Sequence, residues 1–258
     1  KNMALEQDIA NLIEASNDLT ATVDNKIQDI TATLNNSVLD AKNKVNAELG
    51  QIDQRFDSAR KSQSHFRVTK NQALIPNEAG TFPLFWSGGY VKEARFLETV
   101  TTGVEADQRT PLAREFLRAI NSDTKYFAQS FNIWELEYYP NRRGESAHQF
   151  AYLMYQYFRA PTVVTAAAVV KHIRGTVPNN WWCEGLEANQ EAKLCGKVMS
   201  FGRNRYGHCH PYVHGEGKPE DETGVIQIAL PAVVTGEVPL DDWGQFAYLG
   251  DATQNAYD

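Results

Sequence analysis

The chain has 258 residues, with 32 acidic against 25 basic side chains and a formal net charge of −7, a balance that argues against a broad nucleic-acid surface. Hydrophobic residues make up 42 % of it, yet no apolar run reaches the roughly 18 residues that a membrane helix needs, so no membrane insertion is expected. The length suits one long helix and one globular domain of ordinary size.

The sequence opens at Lys1 with a helical pattern under way within a few residues. It reads as a piece of a longer protein rather than as one led by a signal peptide. From Leu5 to Phe66 there is no proline and a single glycine, Gly50. Within this stretch Leu12, Val23, Leu34, Val45 and Phe56 recur every eleven positions, as do Ile27, Val38 and Leu49, and Leu19, Ile30, Ala41 and Ile52. Spacings of 4, 3 and 4 keep these residues on one stripe of a helix. An eleven-residue period is about 3.67 residues per turn, which predicts a nearly straight or weakly right-handed supercoil. Such a stripe has no partner within its own helix. It therefore predicts a parallel coiled-coil stalk over residues 1–67, with three copies favoured over four by the width of the stripe and its mixture of Leu with β-branched residues.

Near Arg67 the repeat ends and Gly, Pro and aromatic residues become frequent. Residues 68–82 read as a connector and 83–258 as a globular head, so the expected fold class is a coiled coil followed by a mixed α+β, strand-rich head, assembled as a homotrimer. Thr110 as N-cap, Pro111 at the first helical position and the stripe Leu112, Phe116, Leu117 and Ile120 predict a short helix that Asn121-Ser122-Asp123 ends. Strands are expected at 131–139, with Trp134, Leu136 and Tyr138 on one face and Glu135 and Glu137 on the other, at 162–173, at 224–230 before Pro231, and at 243–249. The aromatic residues of 145–158 fit both a helix and a strand period.

Three cysteines, Cys183, Cys195 and Cys209, make no disulfide framework and read as reduced structural thiols, with one Cys183–Cys195 bridge as the alternative. The densest polar cluster surrounds His208 and His210, which face the same way if the segment is a strand. In a trimer such a pair supplies six imidazoles around the three-fold axis, a set suited to an octahedral transition metal such as iron or nickel. The rival readings are an intrachain zinc site built from the three cysteines and a histidine, and histidines that simply make surface hydrogen bonds.

Signatures of hydrolases, metalloproteases and nucleotide-binding folds are missing, which argues against an enzyme. Glu135 and Glu137 share a strand face but read as its wet side rather than as a glycosidase pair. Candidates for ligand contact are Trp181 and Trp182 after a Pro-Asn-Asn turn, the basic turn with Arg142 and Arg143, the loop with Arg203, Arg205 and Tyr206, and Tyr212 beyond the histidines. Burial in the core or at a subunit interface is the competing reading of the two tryptophans.

The polar helical rod, the abrupt change to an aromatic-rich domain and Gly207-His208-Cys209-His210 together resemble the distal end of a bacteriophage tail fibre. The resemblance implies a trimeric tip that binds a glycan or outer-membrane protein on the bacterial host. It implies His208 and His210 as ligands of an iron ion on the axis, assembly in the host cytoplasm into a virion, and docking to other tail proteins. A trimeric bacterial surface adhesin, a capsule-degrading tailspike and a purely structural connector are the alternatives.

Overall fold

In the computed structural model the described residues are 2–61, 65–86, 88, 91–140, 156–159, 162–179, 181–188, 191–201, 206–209 and 221–248. The chain divides into two compact units, Lys1–Ala59 and Arg60–Asp258.

The first unit is one uninterrupted helix, α1 (Asn2–Lys61), of 60 residues. At 1.5 Å per residue it is roughly 90 Å long. The hydroxyls of Thr20, Thr22 and Thr31 donate to the carbonyls of Ser16, Asp18 and Ile27, one turn back, which absorbs polar groups without breaking the helix. The eleven-residue stripe lies in solvent: Leu12 is 70 % exposed, Leu34 61 % and Phe56 62 %. Each such side chain forgoes about 1.5–3 kcal/mol that full burial would bring. No described helix is long and apolar enough to cross a membrane.

The second unit is built on a five-stranded antiparallel sheet in the order β1 (Val91–Val100), β2 (Phe131–Tyr138), β7 (Gly224–Thr235), β4 (Thr162–Gly175), β5 (Lys193–Phe201). A separate two-stranded ribbon pairs β3 (Gln156–Arg159) with β6 (Tyr206–Cys209). The expected fold class is corrected accordingly. In place of a coiled-coil trimer with a mixed α+β head, the chain forms a single long helix and an antiparallel sheet domain. A coiled coil is a property of several chains, and this chain by itself presents one helix with its stripe uncovered.

Alternation along the strands fixes which face meets which layer. On one face Trp134, Leu136, Tyr138, Ile226, Ile228, Val164, Ala166, Ala168 and Val170 pack against Leu74, Trp86, Trp181 and Trp182. The alanines leave room for indole rings: Trp86 and Trp182 lie 4.6 Å apart between centroids. On the other face Phe131, Ile133, Val169 and Ala229 meet Phe116 and Leu117 of the helix α2 (Pro111–Arg118). Its N-cap is the expected one, since the Thr110 hydroxyl accepts from the Ala113 N–H at 3.1 Å.

Three local expectations change. Residues 68–82 are no loose connector but the lid of the first face. Ala73 and Leu74 are fully buried, and the Leu74 carbonyl accepts from Trp134 Nε1 at 2.8 Å and Asn132 Nδ2 at 3.1 Å. The strand expected to stop before Pro231 runs on to Thr235. Leu230 and Pro231 together oppose Ala168, and Leu230 has φ +52°, so a β-bulge accommodates a residue that has no N–H to donate. The strand expected at 243–249 is absent from the described residues: a 3₁₀ turn (Leu240–Asp242) leads into irregular chain that bridges to Arg67 only at Tyr248.

Candidate functional site

Helix α2 covers only one end of its sheet face. At the other end the same alternation brings polar side chains to the surface: Glu135 and Glu137 from β2, Gln227 from β7, Arg174 from β4, and Glu93 and Arg95 from β1, while Lys171 of β4 pairs with Glu115 of α2 at 2.8 Å. Strand register sets Glu93 opposite Glu137, Arg95 opposite Glu135, and Glu135 opposite Gln227. Glu93, Arg95, Glu135, Glu137, Ile173, Arg174 and Val225 line a groove of about 300 Å³ there.

The charges in it are paired from below. Arg95 Nη2 donates to Glu135 Oε1 at 2.6 Å, and Gln227 Nε2 donates to Glu135 Oε2 at 2.9 Å. Lys92 Nζ and Arg174 Nη2 reach Glu137 Oε1 at 3.0 and 3.1 Å, and Arg174 Nη1 donates to the Thr223 hydroxyl at 3.3 Å. The Thr223 hydrogen bond, with those of Lys92 and Arg174, outweighs the upward push of burial and holds the Glu137 carboxyl at about 2. Glu137 is therefore an ionised anchor and has no proton to give at neutral pH. The Glu135 and Glu137 side chains are largely covered, whereas those of Arg95 and Arg174 are 62 % and 57 % exposed. Exposed ion pairs of this kind add little stability. Their consequence here is orientation, with guanidinium groups held in place and their remaining N–H donors open to solvent. At the groove's end Gly175, at φ +76°, lets β4 turn against β7. A Cβ there would lie 1.9 Å from the Thr223 carbonyl oxygen.

The aromatic candidates fall elsewhere. Trp182 is fully buried and donates from Nε1 to the Ala232 carbonyl at 3.0 Å, and Trp181 is 8 % exposed. Both are corrected from ligand contacts to core residues, because the turn that carries them folds down over the small alanines of the sheet. Cys183 and Cys195 are buried free thiols in the same core. Burial pushes both upward, Cys195 to about 12, with the neighbouring Cys195 adding to the rise at Cys183. Among the described residues no group of three or more His, Cys, Asp or Glu is placed to hold a metal.

Arg142, Arg143, Arg203, Arg205, His210 and Tyr212 lie outside the described residues. Tyr206 and His208 belong to β6, where His208 pairs in register with Tyr157.

No protein-family model, curated protein or solved structure matches the chain. The site is therefore defined by its own geometry. Apart from Glu135 and Glu137, none of the groove residues stood out in the sequence. The available signal was charge complementarity between the alternating faces of two strands: Glu93 and Arg95 on one, Glu135 and Glu137 on the other.

Proposed function

We propose that this chain is a fibre-type receptor-binding protein of a virion, in which three copies associate through the stripe of α1 and carry their sheet domains to a glycan or protein on a bacterial surface. The observation that carries this reading is the exposure of the whole eleven-residue stripe on a helix of 60 residues. Long helices draw most of their stability from packing an apolar face, and further copies of the same helix would offer a partner of matching period. The purpose of such association is display. Several weak sites on one assembly bind a cell far better than one does, by about 10²–10⁴ in avidity.

Fluorescently labelled chain incubated with a panel of bacterial strains tests the reading. Retention on susceptible cells should fall at least about 100-fold when Leu34→Asp and Val45→Asp are combined, because buried unpaired carboxylates break the association and with it the avidity. Equal retention of the dissociated variant would contradict the proposal.

A further inference from the structure

The groove on the open end of the sheet has a composition that selects its ligand. Its three carboxylates, Glu93, Glu135 and Glu137, are matched by three cations, Arg95, Arg174 and the Lys92 ammonium that reaches Glu137. An anion entering it meets carboxylates and a cation meets guanidinium groups, so neither charge is favoured. What the groove offers is donors and acceptors side by side. The outward N–H groups of Arg95 and Arg174 donate. Glu93, which makes no ion pair among the described residues, accepts. Hydroxyl groups, which both donate and accept, are the chemistry that uses such a surface fully. Ile173, half-buried, adds an aliphatic contact among the polar groups, suited to the C–H face of a sugar ring, while Val225 in the groove wall is buried. The volume, about 300 Å³, is at the lower end of the range for small-ligand sites. The polar groups need little reorganisation, because Glu135 and Glu137 already hold the guanidinium groups in position.

We propose that this groove is a binding site for a neutral saccharide, with Arg95, Arg174 and Glu93 as the hydrogen-bonding contacts and Ile173 as the apolar one. The proposal deepens the receptor-binding reading by naming the ligand class and the place where it docks.

The test uses the full chain with N-acetylglucosamine and the methyl glycosides of glucose, galactose and mannose as neutral probes, and glucuronate and glucosamine as charged ones. Binding is followed by ligand-observed NMR and by competition for cell adhesion. At least one neutral sugar should bind, more tightly than either charged probe. The combined Glu93→Ala and Arg95→Ala substitutions should weaken it about 10-fold or more, the usual loss when hydrogen bonds to charged groups are removed. Both side chains are exposed, so an unchanged melting curve will show that the variant is folded, and Arg95→Lys alone should retain part of the binding. Failure of every neutral probe to bind, a preference for a charged probe, or undiminished binding by the folded double variant would each overturn the proposal. Cell adhesion that survives the double variant would overturn the groove while leaving the receptor-binding reading standing. Sugar binding by a chain that adheres to no strain would support the groove and overturn that reading.

Discussion

Helix α1 and the sheet domain use the same aliphatic residues to opposite ends. In α1 the leucines, isoleucines and valines recur with an eleven-residue period and stand in solvent, Leu12 and Leu34 among them. In the sheet domain they alternate with a period of two and vanish into the core, as Leu136, Ile226 and Ile228 do. The helical stripe stays exposed in the single chain, and its period is the basis of the association proposed above. A strand's alternation is satisfied by the layers folded over the sheet from residues 65–86, from the turn at Trp181–Cys183 and from α2. In the single chain one set of apolar side chains is buried and the other is exposed.

Substitutions can break the comparison on either side. The largest effect is expected from Leu34→Asp with Val45→Asp, which should abolish association altogether while leaving the tryptophan fluorescence of the sheet domain unchanged. A variant that kept its assembled mass would show that the stripe is not the contact. Next in size is Trp182→Ala. Emptying a fully buried indole site should cost about 3–5 kcal/mol, read as a shift in the denaturant midpoint, with no change in assembled mass. A cost below about 1 kcal/mol, the range of surface positions, would return Trp182 to the list of ligand contacts.

The smallest effect concerns acid. Glu137 titrates at about 2 in the folded domain against an ordinary value of 4.5. A depressed carboxyl contributes its stabilisation in full above 4.5 and loses it as the pH falls through about 2. Glu137→Gln should therefore flatten the decline in stability between those two values and lower stability modestly at neutral pH. An unchanged acid profile would mean that Thr223, Lys92 and Arg174 do not hold this carboxylate in solution.

What was legible in the sequence was local. Thr110 and Pro111 announce α2 because capping and proline geometry act within one turn. Trp134, Leu136 and Tyr138 announce the buried face of β2 because alternation is a property of the strand itself. What escaped depends on distant partners. Pro231 looked like a terminator, yet the bulge opposite Ala168 carries the strand through it. Residues 68–82 looked like a connector because nothing local reveals that Leu74 accepts from Trp134, 60 positions away. Trp181 and Trp182 were open to both ligand contact and burial because a turn signal tells where the chain reverses and not what lies beneath it. The groove was hidden for the same reason: Glu93, Glu137 and Arg174 meet only when β1, β2, β7 and β4 are set side by side.

The measurement that tests the central claim most directly is the light-scattering mass of the purified chain. Under the proposed association through the stripe, the mass should be three times the 29.0 kDa of one chain, and it should fall to that of one chain in the Leu34→Asp, Val45→Asp variant. A single-chain mass for the unaltered protein at micromolar concentration would contradict the account.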